Sequence, residues 1–550
     1  MSVLTQHANA LQVGWRSEQL HEVAKAQLHE LELLLLEDAS LGKADLGELV
    51  HAEFAARALW SADSEVTRAG RIACRQTSAE LLAATELPPG AGAREVLARL
   101  FTSPGGPALS EVQFKIIAVE QTGGPEFQTT VLVQASAENA QFNARWAIDW
   151  VLGADAVPRM RAIRCTALSE CRVSEPLFAD RTQSVLRDAG GRAELLNAGC
   201  GEWRGRVDSL GEPNYFGHNG IAVGDVNGDG LEDLYVATGT GLPNMLFLQQ
   251  ADGTVLERAA EAGVAWSDDT KGVLLIDFDN DGDRDLLCAI GHVIVVCVND
   301  GKGKFVVRHS MQAATPAAFY SLAAADYDLD GYVDVYATRY VKTSYGDSIP
   351  RPFHDARNGP TNHLMRNEAG KGFTDVTDAV GLGENNNRFS LAASWIDYDG
   401  DGDSDLYVAN DFGRNNLYRN DAGTFVDVAA SSGTEDQAAG MGVSWADADL
   451  DGDYDLLVSN MFSSAGQRIA YQPRFKPGNR ELRAEIQHHS LGNSLFLNDG
   501  KGVFRDASDS AGLRMGRWAW GARFTDFDGD GRPDVVVPNG FLTNTKSDDL

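Results

Sequence analysis

Apolar residues fall at helical intervals early in the chain. Leu20, Ala24, Leu28, Leu31 and Leu35 recur every three or four positions, which predicts an amphipathic helix. ADLGELVHAEFAARALW, from Ala44, continues in that style and predicts a further helical segment. Past residue 110 the period shortens. EVQFKIIAVEQ from Glu111, FQTTVLVQASA from Phe127, QFNARWAIDWVL from Gln141 and RMRAIRCTALSEC from Arg159 read as four strands. Helices followed by long antiparallel strands predict an α+β domain over residues 1–175. Phe142, Trp146 and Trp150 share one strand face there, as plain core or as the lining of a pocket.

From residue 216 a second pattern takes over. The apolar runs GIAVG, GVLLI, SLAAA, AASWI, GVSWA and GARFT each lead into an acidic nonapeptide. DLYVAT, DLLCAI, DVYATR, DLYVAN, DLLVSN and DVVVPN lead out. The nonapeptides are DVNGDGLED, DFDNDGDRD, DYDLDGYVD, DYDGDGDSD, DADLDGDYD and DFDGDGRPD, all of the form D-x-[DN]-x-D-G-x-x-D. Their starts lie 52, 49, 71, 50 and 79 residues apart, so a unit of about 50 residues repeats and two copies carry insertions. Most hairpins are followed by two more apolar runs joined by a glycine turn, most clearly NSLFLNDGKGVFRDASDSAGL from Asn493. Four strands per repeat predict a mainly β architecture over residues 216–550, a β-propeller of six or seven blades. The glycine-rich stretch 176–215 reads as a connector. Its PLFADRTQSVL resembles KGFTDVTDAVGL at Lys371 and predicts an outer strand beside the last hairpin, Asp534–Val537.

Each nonapeptide crowds carboxylates that cannot all stay ionised unless a cation lies between them. Oxygen donors in a flexible loop select a hard cation, and six to eight of them suit calcium, giving up to six Ca²⁺. Position one is Asp225, Asp277, Asp326, Asp397, Asp447 and Asp526. Position three is Asn227, Asp279, Asp328, Asp399, Asp449 and Asp528, and position five is Asp229, Asp281, Asp330, Asp401, Asp451 and Asp530. Position nine is Asp233, Asp285, Asp334, Asp405, Asp455 and Asp534. These four positions would ligate through side chains. Position seven varies (Leu231, Asp283, Tyr332, Asp403, Asp453, Arg532), as expected of a residue that offers its backbone carbonyl. On that reading the Asp283 carboxylate is incidental. Position six is always glycine, as a sharp turn requires. An EF-hand needs flanking helices and a glutamate at position twelve, where this chain has Val236, Cys288, Ala337, Val408, Val458 and Val537.

The formal net charge of −32 argues against binding nucleic acid, which needs a basic footprint. No run approaches the length of a membrane span, and no basic-then-apolar secretory signal is visible at the N-terminus. The six cysteines read as buried thiols, with Cys165 and Cys171 close enough to bridge locally.

HNGIAVGDVNGDGLEDLYVATG, HDARNGPTNHLMRN and LYVANDFGRNNLYRN resemble the FG-GAP/VCBS-repeat family, and within it the ASPIC/UnbV-like proteins related to cartilage acidic protein. The resemblance covers about residue 216 to the C-terminus. It implies a calcium-bearing propeller, commonly extracellular, used for adhesion or recognition rather than catalysis. The preceding domain resembles the cone-shaped SnoaL-like fold in architecture alone. His218, His354 with Asp355, and His488 with His489 are the most suggestive catalytic candidates, yet none is paired with a nucleophile motif, and they read as turn or insertion residues. The insertions at about 340–361 and 462–489 are the candidate binding surfaces. The second is basic, with Arg468, Arg474, Lys476, Arg480 and Arg483. The expected function is non-enzymatic recognition of a protein or glycan. The competing expectation is an enzyme, either a lyase-like propeller acting on carbohydrate or small-molecule chemistry in the N-terminal pocket. Calcium loops of modest affinity suit an extracellular or periplasmic setting.

Overall fold

The computed structural model describes residues 16–38, 41, 45–56, 65–68, 71–77, 97, 109–190, 220–238, 241–315, 317–342 and 349–539. The chain divides into two compact units, residues 1–179 with 464–477, and residues 180–463 with 478–550.

In the first unit the helix Arg16–Glu37 buries Leu20, Ala24, Leu28, Leu31 and Leu35, the five positions its periodicity marks. They join one core with the inward residues of a seven-stranded sheet. The four long strands lie where the alternation places them, at Leu109–Gly123, Glu126–Ala137, Ala140–Leu152 and Pro158–Val173. Phe142, Trp146 and Trp150 are buried members of that core. The indole N–H of Trp150 donates to the Thr129 hydroxyl at 2.9 Å, which meets the one polar need of a buried tryptophan.

Two expectations fail here. The segment expected to be helical from Ala44 contains the strand Val50–Ala56, which pairs in parallel with Pro158–Val173. Val50 and Phe54 pack on the core from this strand, so tertiary packing overrides the helical style of the sequence. The reading of all six cysteines as buried thiols also fails, as does its alternative, a local Cys165–Cys171 bridge. Cys171 is bonded to Cys74, its direct partner across the strand pair Ile72–Thr77 and Pro158–Val173, while Cys165 is a buried free thiol. Cys288 and Cys297 are buried free thiols as expected, and Cys200 lies outside the described residues.

The insertion 464–477 belongs to this first unit. Its Arg468 is buried, donating to Glu18 at 3.1 Å and to the Ile116 carbonyl at 3.1 Å. One of the five basic residues of the candidate surface is therefore a structural ion pair.

The second unit is the repeat. Among the described residues, five antiparallel four-stranded sheets run in chain order, and a sixth position holds the hairpin Arg523–Thr525 and Asp534–Val536. The first strand of each sheet lies against the first strand of the next, which sets the sheets radially as propeller blades. Neighbouring blades share hydrophobic cores, as in the cluster of Leu246, Leu286, Cys288 and Phe305 between the first two. Every acidic nonapeptide links the first and second strands of its blade, so the flanks are strands and no EF-hand forms.

Among the described residues of the connector, 176–190, the expected outer strand does not form. Residues 176–181 form no strand, and among the described residues the last hairpin forms a sheet of its own two strands. Leu186 and Ala189, just beyond, pack instead on Met245 and Phe247 of the first blade.

At the strand ends farthest from the loops, Tyr320, Tyr340, Phe389, Leu391 and Met441 form a further core. The buried Asp411 accepts a hydrogen bond from the Tyr340 hydroxyl there. Burial pushes its carboxyl up to about 7. The folded state thus holds this proton more tightly than the unfolded chain does. The associated stability is complete below about pH 4 and is lost as pH rises through about 7. Asp411→Asn is expected to melt higher than the native protein at pH 8, with the gap closing as the buffer is taken to pH 5. A gap that is unchanged across that range contradicts the assignment.

Candidate metal centre

The six loops share one hydrogen-bond plan. The position-one carboxylate accepts from the position-five N–H at 3.0–3.2 Å and from the glycine N–H at position six at 2.8–3.1 Å. The position-five carboxylate accepts from the position-seven N–H at 2.9–3.2 Å. The position-six glycine has φ between 81° and 102° in every copy, a conformation that costs glycine nothing.

Position nine is anchored differently. In the first five loops its Oδ2 accepts from the position-two N–H at 2.8–3.2 Å. Its Oδ1 accepts from the N–H of the last residue of the third strand, or in the second blade of Asn299 just beyond that strand, at 2.7–2.9 Å. Asp285, Asp334, Asp405 and Asp455 are fully buried at the base of the hairpin. Burial pushes Asp285 up to about 6, and Asp334 and Asp405 up to about 7, against the pull of those donors.

Carboxylate oxygens of positions one, three and nine converge to within 4.8 Å of one another in loops two to six. In the first loop Asn227 stands at position three and its amide donates to Asp229 at 3.1 Å. The decisive atoms belong to position three. The Oδ1 atoms of Asp279, Asp328 and Asp399 are buried and have no hydrogen-bond partner. Burial, then the neighbouring carboxylates, pushes all three above the usual range. An inward, unpartnered carboxylate oxygen among other carboxylates fits a hard divalent cation and fits little else.

Sequence reasoning set aside the position-seven side chains, and the structure turns two of them inward. Oδ1 of Asp283 and of Asp403 is buried without a partner, and burial followed by Asp281 pushes Asp283 up to about 6. These two side chains therefore add an inward carboxylate oxygen each to loops two and four. Position four carries a second feature that a single copy does not reveal. Its φ is positive in all six loops, at Gly228, Asn280, Leu329, Gly400, Leu450 and Gly529. Leu329 and Leu450 are exposed leucines held in the left-handed region.

The histidine candidates do not join these loops. His354 pairs with Glu485 at 3.3 Å, and Asp355 with Arg388, Arg357 and Arg414. His488 donates to the buried Asp436 at 2.7 Å. His489 is buried beside the rings of Phe353 and Phe412, and burial lowers it to about 4. These groups bind the two insertions to the strand ends opposite the loops. His218 lies outside the described residues.

Comparison with known proteins matches residues 225–288, 277–337, 397–458 and 487–537 to the FG-GAP-like repeat. Curated relatives include cartilage acidic protein 1 of Xenopus tropicalis, 29% identical over 209 residues, which is 36% of this chain and 30% of that protein. The protein of the same name from Mus musculus is 27% identical over 241 residues, 42% of this chain and 35% of the relative. This chain therefore spans about a third of the length of these relatives. Among solved structures, one described as the basis of recognition of non-reducing terminal N-acetylglucosamine by an Agrocybe aegerita lectin shows 15% identity and a TM-score of 0.34. It covers 58% of this chain and 74% of its own, and at that score nothing further rests on the likeness.

Leu329 is exposed and loses little packing on truncation, so its left-handed backbone dominates the effect of substitution. Leu329→Gly is expected to raise the stability of the metal-free protein by roughly 1 kcal/mol, read from a urea melt in chelator. A lower midpoint contradicts the strain.

Proposed function

We propose, on the premise of the FG-GAP-like repeats matched at residues 225–288, 277–337, 397–458 and 487–537, that this chain is a calcium-loaded propeller serving as a non-enzymatic recognition scaffold. The observation that carries the metal reading is the set of buried, unpartnered Oδ1 atoms of Asp279, Asp328 and Asp399 beside their neighbouring carboxylates. In each loop the side chains at positions one, three, five and nine would hold Ca²⁺, with the position-seven carbonyl and the side chains of Asp283 and Asp403. The ion would supply charge neutralisation and rigidity to the hairpin tip.

The partner class we propose is a protein or a glycan, met by loops and insertions on the rigid blades. An acidic chain of net charge −32 disfavours nucleic acid. An extracellular or periplasmic setting is supported by the Cys74–Cys171 bridge, since disulfides persist in oxidising compartments. His354, Asp355, His488 and His489 are engaged in holding the insertions, which favours recognition over catalysis.

A ligand that binds only the folded state stabilises it, by about 2.7 kcal/mol per site at a hundredfold excess over Kd. Calcium is expected to raise the melting midpoint strongly and chelator to reverse the gain, with magnesium giving much less. An unchanged midpoint refutes the metal reading. Applied to glycan and secreted-protein arrays, the calcium-loaded protein should give hits that chelator abolishes. Hits that persist without calcium would refute the link between metal and recognition.

A further inference from the structure

The residue that anchors position nine from the third strand is an asparagine in four of the five complete blades: Asn299, Asn367, Asn420 and Asn498. All four are buried. Each side-chain amide also leaves its own blade. Asn299 donates to the Val226 carbonyl at 2.8 Å, Asn367 to Phe278 at 2.9 Å, Asn420 to Tyr327 at 2.9 Å and Asn498 to Tyr398 at 3.0 Å. Those acceptors are the position-two residues of the preceding loops. Position two is also the residue whose N–H holds its own position-nine carboxylate. The same amides bind the position-eight carbonyl of their own loop at 3.0–3.3 Å.

A continuous path of hydrogen bonds therefore joins each position-nine carboxylate to the next. It runs from the carboxylate to the position-two residue, from its carbonyl to the asparagine amide, and from the asparagine N–H to the following carboxylate. Four such links chain loops one to five. We propose that these asparagines couple neighbouring loops, so that an ion seated in one orders a ligand of the next and the array fills cooperatively. The coupling rests on the calcium reading given above. Its physical basis is positional. An ion fixes the position-nine carboxylate, which fixes the position-two residue and hence the acceptor that holds the adjacent blade's asparagine. The first blade has Gln249 at the equivalent place, and its N–H still holds Asp233 at 2.9 Å.

The test is a calcium titration of the full chain after chelator treatment, followed by calorimetry. The native protein is expected to bind with a Hill coefficient above one. Asn420→Ala cuts the chain of links between loops three and four, so the slope should fall towards one and half-saturation of the weakened sites should rise at least about fivefold. Asn299→Ala detaches only the first loop and should lower the slope less, and it serves if Asn420→Ala does not fold. Leu417→Ala removes a buried side chain on the third strand of the same blade, outside the loops and their hydrogen-bonded links, so it should melt lower yet keep the native slope. A native protein that binds calcium with unit slope overturns the coupling alone, as does Leu417→Ala losing slope equally. A native protein that binds no calcium overturns the metal reading and the coupling with it.

Discussion

The constraint on which the repeat unit depends is the repulsion among carboxylates at its hairpin tips. Three acidic side chains bring oxygens within 4.8 Å of one another in five of the six loops, an arrangement no isolated turn would keep. The backbone answers part of it. Position one takes at least two backbone N–H donors and position five takes one; in the first five loops position nine takes two more. The unanswered part is the Oδ1 of position three in loops two to four, joined in loops two and four by an aspartate at position seven. A loop with so much of its negative charge already held in place is pre-organised for a cation, which meets rigid donors rather than four mobile side chains.

That electrostatic plan also shapes the fold around it. Because position nine is gripped by the third strand, the loop is fastened to its blade at a point that is fully buried. Because the gripping residue is an asparagine, the same side chain reaches the neighbouring blade. Hydrophobic clusters between successive blades supply the bulk of the cohesion, as Leu406, Tyr418 and Phe425 do with Tyr336 and Leu364. The polar links set the blades in register, since a buried carbonyl left without its amide is costly. The N-terminal unit is built on other grounds, with a leucine-faced helix on a sheet, a cross-strand disulfide and a buried Arg468–Glu18 pair.

The sequence discloses most readily what repeats. Six copies make the glycine at position six, the ligand positions and the flanking strands legible, and each long strand of the first unit announces itself by alternation. What it discloses poorly is what depends on a distant partner. Val50–Ala56 reads as helix because its strand identity comes from pairing with residues more than a hundred positions away. Cys171 looks nearer to Cys165 than to Cys74 until the strand register sets the latter opposite it. Arg468 looks like part of a basic surface because nothing local shows Glu18 beside it. The asparagine links are an intermediate case. The residue recurs visibly in VCVND, LMRNE, LYRND and LFLND, yet its partner across the blade boundary is a backbone carbonyl that leaves no trace in composition.

The central claim is that each loop is a calcium site. The most direct measurement is a crystal structure of the protein grown in millimolar calcium, with anomalous scattering collected to identify the ions. The account predicts an ion in the loops, ligated at about 2.3–2.6 Å by positions one, three, five and nine and by the position-seven carbonyl. Loops that hold only water at full calcium, with Asp279, Asp328 and Asp399 turned out to solvent, would contradict it.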